Sequence, residues 1–197
     1  MIAFYTNPRS RGAIVRWMLE EIGAPYETHV LDYDTTMKSA AYLAINPMGK
    51  VPAIVHDGKT VTESAAICTY LADAFPDAGL APPLADRAAY YRWLFFGAGP
   101  VEAAVSNTAL GLVVPKDRQR MIGYGSLDDV LDVLDRHLSA NAYFCGDRFT
   151  AADVYTGSQI GWGVQFGTMP VRASFTAYWD RIKNRPARLR AMHLDQG

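Results

Sequence analysis

Cysteine is scarce in this sequence, and the two cysteines present form no recognisable motif. Cys68 and Cys145 lie in separate apolar stretches, and neither belongs to a C-x-x-C pair. Small disulfide-stapled domains need several paired cysteines, and thioredoxin-type redox proteins need a C-x-x-C after the first strand. The sequence argues against both classes, and we expect two buried thiols in a reducing compartment.

Histidine is also sparse. A zinc site needs three or four ligands at short, characteristic spacings on neighbouring segments. The histidines of this chain stand singly, far from such a pattern: His29, His56, His137 and His193. We therefore expect a protein that functions without a bound metal.

Neither sign of charge is in excess, and long apolar runs are missing. The 19 Lys and Arg residues nearly balance 20 Asp and Glu residues, which gives a net charge of −1. Nucleic acids and anionic membranes select basic surfaces, and a membrane span needs roughly 20 apolar residues. The first residues, Met1 to Tyr5, lack the basic and apolar segments of a signal peptide. We expect a soluble cytoplasmic protein without nucleic-acid or membrane partners.

The first 76 residues alternate between strand-like and helix-like segments. Apolar residues recur with the helical period after Arg11, and Asp57-Gly58 between two alternating segments predicts a hairpin. The β-α-β-α-β-β-α order predicts a small mixed sheet covered by helices. The predicted strands are 2–5, 26–31, 53–56 and 59–62, and the predicted helices are 11–22, 37–45 and 64–75.

A change of composition at Pro76 marks the end of this α/β region. Residues 76–83 contain three prolines and a glycine, which indicates a linker. Helical periodicity dominates afterwards, and the glycines around Pro100 predict a kink in the first long helix. We predict an α/β domain at 1–76, a linker at 77–86, and an all-helical domain at 87–197 that ends in a short helix from Pro186.

The segment 46–54, Asn-Pro-Met-Gly-Lys-Val-Pro-Ala-Ile, is followed by Glu63 and Ser64 at a predicted helix start. Pro52 has no amide to give to a sheet, so it must lie at an edge or at a strand start. A cis bond before it would let the Val51 backbone pair with an extended peptide. Ser64 and the helix-start amides suit a carboxylate, and Glu63 suits an ammonium group. Taken separately, these features also fit an edge proline and a capping serine.

Together, these residues resemble the glutathione-binding signature of cytosolic glutathione transferases, and the element order resembles their thioredoxin-like N-terminal domain. The resemblance implies that the Val51 backbone, before a cis Pro52, binds the cysteinyl part of glutathione. It implies that Glu63 and Ser64 hold the γ-glutamyl end and that Lys50 meets the glycyl carboxylate. It further implies glutathione as co-substrate, its conjugation to small hydrophobic electrophiles, and a homodimer.

The turn from Tyr5 to Arg11 carries the candidates for activating the glutathione thiol. A thiol with a pKa of ~8.5 is little ionised at neutral pH, and a hydroxyl donor near a helix N-terminus stabilises its anion. Ser10 is placed for this role, and Arg11 adds positive charge to the glutathione site. The turn resembles that of bacterial, beta- or theta-like family members with serine or cysteine here. Tyr5 is the second candidate, Thr6 and Asn7 stay open, and Ser10 would alternatively only cap the helix.

Two features of the helical half extend the resemblance over essentially the whole chain. Thr150 and Asp153 form a predicted capping box, which resembles that of the family's central C-terminal helix. We expect the electrophile to bind between the two predicted domains, beside the kinked helix. Its candidate pocket residues, each of which also fits simple core packing, are Tyr91, Phe95, Phe96, Pro100 and Trp162.

Two other functions fit the same scaffold. A glutathione-dependent disulfide reductase or peroxidase would use the same binding residues and release oxidised glutathione. A non-catalytic glutathione-binding module would hold the tripeptide without reacting it. Fold alone does not separate these functions, so the product must decide between them.

Overall fold

The computed structural model describes residues 1–196, which divide into two compact units. Gly197, which the sequence pattern assigned to the helical domain, lies outside the described residues. Met1–Leu80 and the chain from Arg185 onward form the first unit, and Ala81–Asn184 forms the second. The division after Leu80 falls within 77–86, the segment predicted as a linker. Within residues 1–196, no helix combines the length and the apolarity needed to cross a membrane.

A four-stranded mixed sheet organises the first unit. Its strands are β1 (Ile2–Thr6), β2 (Tyr26–Val30), β3 (Ala53–His56) and β4 (Lys59–Thr62). They lie in the spatial order β2-β1-β3-β4, with β1 parallel to β2 and antiparallel to β3. Asp57 and Gly58 join β3 to β4 with positive φ at both residues, as a type I′ turn requires. The predicted hairpin is confirmed.

Three helices complete this unit: α1 (Gly12–Ile22), α2 (Ala40–Leu43) and α3 (Ser64–Ala74). The observed order, β-α-β-α-β-β-α, confirms the thioredoxin-like fold class. The single helix predicted at 37–45 is wrong, because a 3₁₀ turn at Thr36–Lys38 precedes a shorter α2. Ser39 separates the two with extended backbone, and its hydroxyl accepts the amide hydrogen of Tyr42. A local side-chain acceptor of this kind competes with continued helix.

The last helix, α9, spans Pro186–Gln196 and belongs to the first unit, whereas the sequence pattern placed it in the helical domain 87–197. The Glu21 and Arg16 side chains of α1 are only 7% and 5% exposed. A buried charge without a partner is costly, so both need an opposite charge nearby. The C-terminal segment supplies both charges, in the pairs Arg185–Glu21 and Arg16–Asp195, and it adds a third pair, Arg190–Glu20.

The second unit is built from helices: α4 (Ala88–Phe96), α5 (Glu102–Ala109), α6 (Leu127–Ala140), α7 (Ala151–Gln165) and α8 (Ala173–Ile182). A π-helical turn at Gly97–Val101 separates α4 from α5 and contains Pro100. Because proline lacks the amide of the helical ladder, the interruption falls where the sequence predicted a kink.

The predicted capping box at the start of α7 is confirmed. The Thr150 hydroxyl accepts the amide hydrogen of Ala152, and the Asp153 carboxylate accepts that of Thr150 at 2.8 Å. Asp153 also accepts hydrogen bonds from the Phe144 amide and the Tyr178 hydroxyl, each at 2.9 Å. Burial raises the pKa of Asp153 to about 6, although these donors oppose the rise. The Asp153 carboxylate thus links α7 to α8 and to the loop that precedes α7.

Gly157 of α7 leaves room for the Tyr178 ring of α8. A Cβ at this position would lie 2.7 Å from the Tyr178 hydroxyl and 2.8 Å from Ile182. We predict that Gly157→Ala lowers the free energy of unfolding by about 1–2 kcal/mol, because crowding of a buried ring outweighs the roughly 1 kcal/mol that alanine adds in helix propensity. Urea denaturation followed by circular dichroism measures this change.

Gly99→Ala is the matched control, since a methyl group there meets no atom within 4 Å. That variant should be at least as stable as the parent protein, because alanine gains helix propensity there without a collision. The prediction fails if the two substitutions lower the free energy of unfolding equally.

Candidate active site

Asn7 shapes the turn between β1 and α1. It is 4% exposed, and its side-chain amide donates to the Leu31 carbonyl at 2.8 Å while its side-chain oxygen accepts the Arg9 amide hydrogen at 3.0 Å. Its backbone carbonyl accepts hydrogen bonds from both the amide and the hydroxyl of Ser10. Both polar atoms of the Asn7 side chain are therefore occupied in holding the turn.

Ser10 is half-buried at the start of α1, and its hydroxyl makes two hydrogen bonds. It donates to the Asn7 carbonyl at 2.6 Å and accepts the amide hydrogen of Gly12 at 2.9 Å. The hydroxyl thus satisfies one of the helix-start amides that lack a partner within the helix. The capping role considered for Ser10 is present, and its role toward a sulfur atom stays a prediction.

Thr6 and Gly12 bring the end of β1 against the start of α1. Thr6 is fully buried, and its hydroxyl oxygen has no hydrogen-bond partner among residues 1–196. A Cβ on Gly12 would lie 1.9 Å from that oxygen and 3.0 Å from the Ser10 hydroxyl. Glycine is therefore required at position 12, a constraint that sequence reasoning missed because it arises from packing between two elements.

Tyr5 lies on β1 with its ring half-buried. It stacks on His29 at 4.7 Å between ring centroids and lies tilted against Tyr42 at 5.6 Å. The same apolar cluster includes Met37 and Val51. Tyr5, the second candidate for thiol activation, and Val51, whose backbone is predicted to bind the ligand, thus belong to one apolar cluster.

Val51 lies two residues before the start of β3. The bond between Val51 and Pro52 is cis, and Pro52 immediately precedes the strand, so both expectations for this proline are confirmed. Ala53, the first residue of β3, pairs with Tyr5 on one side and with Thr62 on the other. The Val51 backbone therefore lies outside the ladder, next to the end of β1.

Glu63 and Ser64 lie at that same end of the sheet. Because Ala53 pairs with Thr62, the residues before β3 and after β4 leave the hairpin side by side. Glu63 is exposed with φ +67° and ψ 120°, a conformation that costs a non-glycine residue about 1–3 kcal/mol and is enriched at ligand sites. Ser64 is the first residue of α3, and the side chain of Glu63, at the N-cap, makes no capping hydrogen bond. The amides at this helix start suit an anion.

The remaining predicted binding residues lie around this end. Lys50 and Arg11 are exposed next to Val51 and Gly12, respectively. Gly49 has φ +57°, and the Lys38 ammonium group donates to its carbonyl at 2.9 Å. Among residues 1–196, no three His, Cys, Asp or Glu side chains group as they would around a metal ion.

The candidate pocket residues all lie in the second unit. Phe95 is 74% exposed on α4, and Tyr91 is also exposed there, so both have free apolar surface. Phe96 packs edge-on against Trp93 at 5.5 Å, which makes part of its surface core. Pro100 lies in the π-helical turn and Trp162 on α7, both half-buried. Their role toward a second substrate stays a prediction.

Comparison with known proteins identifies related sequences over both units. Residues 12–74 match the family model of the glutathione S-transferase N-terminal domain, and residues 115–162 match that of the C-terminal domain. Glutathione S-transferase 3 of Schizosaccharomyces pombe is 33% identical over 170 residues, which cover 78% of this chain and 70% of that protein. Glutathione S-transferase GST-4.5 of Xanthomonas campestris is 30% identical over 170 residues, which cover 83% of both.

Solved structures extend the similarity to the fold. A sphingomonad glutathione S-transferase complexed with glutathione has a TM-score of 0.76 at 28% identity and covers 98% of both chains. A glutathione transferase from Methylococcus capsulatus has a TM-score of 0.80 at 27% identity, covering 100% of this chain and 99% of that one.

Substitution of Gly12 tests the close packing at the start of α1. We predict that Gly12→Ala lowers the free energy of unfolding by about 1–3 kcal/mol, because the new methyl group collides with the buried Thr6 hydroxyl. In a Thr6→Ala background, the same substitution should cost about 1 kcal/mol less, since the colliding oxygen is gone. Urea denaturation of the four proteins of this cycle measures the coupling, and strictly additive costs would contradict the collision.

Proposed function

This chain belongs to the glutathione S-transferase family, and from that membership we propose that it joins the thiolate of glutathione to small hydrophobic electrophiles. Relatives named glutathione S-transferase are 30–33% identical to it over most of its length, so it is a glutathione transferase enzyme. The residues that hold glutathione, the group that activates its thiol and the class of the second substrate are our proposals.

One observation carries the proposal: Val51 and Ser64 leave the β3–β4 hairpin at the same end, beside the turn that follows β1. An extended tripeptide would pair its cysteinyl backbone with Val51, as a strand adds to a sheet. Its γ-glutamyl carboxylate would then meet Ser64 and the amides at the start of α3, which attract anions. Glu63 would hold the ammonium group of the same γ-glutamyl unit.

Charged side chains near this end of the sheet support the assignment. Lys50 is exposed next to Val51 and would pair with the glycyl carboxylate of glutathione. Arg11 is exposed in the turn after β1, where its positive charge favours the thiolate over the thiol. The sphingomonad relative, whose structure is a complex with glutathione, supports the tripeptide as the ligand.

The chemical step is nucleophilic attack by sulfur. Glutathione gives up its thiol proton to water, and the sulfur electron pair forms a bond to the electrophilic carbon. The leaving group departs with its bonding electrons, or an addition product takes up a proton. The protein contributes by stabilising the thiolate and by holding the two reactants in contact, so it needs no covalent intermediate.

Ser10 is our first candidate for thiolate stabilisation, and Tyr5 is the second. The Ser10 hydroxyl lies at the start of α1, where the positive helix end and its own hydrogen both favour an anion. Tyr5 packs in the same cluster as Val51, which keeps its ring near the proposed cysteinyl site. The two hydroxyls differ in partners, since that of Ser10 already donates to the Asn7 carbonyl.

We further propose the class of second substrate, the assembly and the location of the enzyme. Exposed aromatic surface on α4, at Tyr91 and Phe95, favours a small hydrophobic electrophile. Phe96, Pro100 and Trp162 would complete its binding surface. We propose that the protein forms a homodimer and that it is located in the cytoplasm.

The reaction product distinguishes conjugation from the two other functions. With glutathione and an activated aryl halide, we predict a thioether adduct that forms faster with enzyme than without it and is visible by mass spectrometry. Glutathione disulfide as the main product, formed with a disulfide or peroxide substrate, would instead indicate a reductase or peroxidase. Calorimetric binding of glutathione without either product would indicate a non-catalytic module.

Removing the Ser10 hydroxyl tests the activating group. We predict that Ser10→Ala lowers kcat/KM by roughly 10- to 100-fold and raises the pKa of the bound thiol, because the thiolate loses a hydrogen-bond donor. Ultraviolet absorbance of the bound thiolate against pH measures this pKa. Tyr5→Phe is the matched comparison, and a larger shift in that variant would transfer the role to Tyr5.

A further inference from the structure

We propose that Tyr42, together with Asn46, is a positioning residue for glutathione, because the two side chains hold the peptide group through which Val51 would bind it. This inference rests on the proposed function above. It adds two residues of the segment around α2 that touch neither the ligand nor the thiol and act through the Lys50 carbonyl. The relevant contacts all lie within the first unit.

Two buried side chains donate to one carbonyl oxygen. The Tyr42 hydroxyl donates to the Lys50 carbonyl at 2.5 Å, and the Asn46 side-chain amide donates to it at 2.7 Å. Tyr42 and Asn46 are 3% and 4% exposed. A carbonyl oxygen has two lone pairs, so both of its acceptor positions are used by these two donors. The Lys50 carbonyl is thereby fixed toward the interior.

The planarity of the peptide bond carries this constraint to Val51. The Lys50 carbonyl and the Val51 amide N–H belong to one peptide group, which is planar and trans, so they point in opposite directions. With the carbonyl held on the buried side by Tyr42 and Asn46, the Val51 N–H points away from those side chains. That is the donor an extended tripeptide would need from a strand edge.

Both donors are themselves held in place. Burial raises the pKa of Tyr42 to about 12, so its hydroxyl keeps its hydrogen throughout the working range of an enzyme. The Asn46 side-chain oxygen accepts the Met48 amide hydrogen at 3.1 Å, which orients its NH₂ group toward Lys50. The Tyr42 ring packs against Tyr5 independently of its hydroxyl. Removing the hydroxyl alone should therefore leave the cluster packed.

Tyr42→Phe deletes one of the two donors and preserves the ring. We expect the dissociation constant and the KM for glutathione to rise about 3- to 10-fold, which is the range for losing one neutral hydrogen bond. The kcat and the KM for the electrophile should stay within about twofold of the parent values, because the deleted hydroxyl bonds to the Lys50 carbonyl and the ring contact with Tyr5 is kept. Asn46→Ala should act in the same direction, and the double variant should bind glutathione more weakly than either single variant.

Tyr26→Phe is the matched control. Tyr26 also has a pKa raised to about 12 by burial, and its hydroxyl donates to Glu20 of α1, away from the Val51 segment. Its loss should lower the melting temperature but leave the KM for glutathione unchanged. An equal rise of that KM in Tyr26→Phe and Tyr42→Phe would show a general loss of stability and overturn the positioning role.

Calorimetric titration with glutathione keeps the two levels of inference apart. If the parent protein binds glutathione and Tyr42→Phe and Asn46→Ala bind it equally well, the positioning role is wrong and the proposed function stands. If the parent protein does not bind glutathione, the proposed function and the positioning role both fail. Thermal unfolding of each variant establishes that it is folded, and Asn46→Ala provides the test should Tyr42→Phe not fold.

Discussion

The pairing of Ala53 on both of its sides is the constraint on which the candidate site depends. Its partners are Tyr5 on β1 and Thr62 on β4, and its side chain is fully buried. Since β3 runs antiparallel to both neighbours, the start of β3 meets the end of β1 and the end of β4. Three segments distant in sequence therefore converge at one end of the sheet, and a one-residue slip in the register of β3 would turn its side chains to the opposite face.

This end of the sheet is further held in place by buried side chains that hydrogen-bond to backbone groups. Asn7 holds the turn after β1, while Tyr42 and Asn46 hold the carbonyl before Val51. Each of these side chains is buried, and buried polar groups specify one geometry because every alternative would leave a donor unpaired. Glu63 adds the opposite feature, an exposed residue in a costly conformation that the strand before it and the helix after it impose.

Features encoded within a few residues could be predicted from the sequence, and features that arise from packing could not. The Asp57-Gly58 hairpin and the Thr150 capping box each depend on local chemistry, whereas the cis bond before Pro52 is implied by the family resemblance, since an X-Pro bond by itself favours trans. The association of α9 with α1 depends on ion pairs such as Arg16–Asp195 between opposite ends of the chain. The requirement for glycine at position 12 arises from a hydroxyl on another element. No periodicity records contacts of this kind.

The two roles considered for Ser10 are compatible in physical terms. The Ser10 hydroxyl donates its single hydrogen to the Asn7 carbonyl, and its oxygen accepts the amide hydrogen of Gly12. A thiolate is an ionic acceptor, and hydrogen bonds to ions are stronger than those to neutral carbonyls. A sulfur anion within reach would therefore draw the hydrogen away from Asn7, while the amide of Gly12 would continue to polarise the hydroxyl. Capping the helix would then prepare the serine to stabilise a thiolate, so the hydrogen bond that favours the structural interpretation also favours the catalytic one.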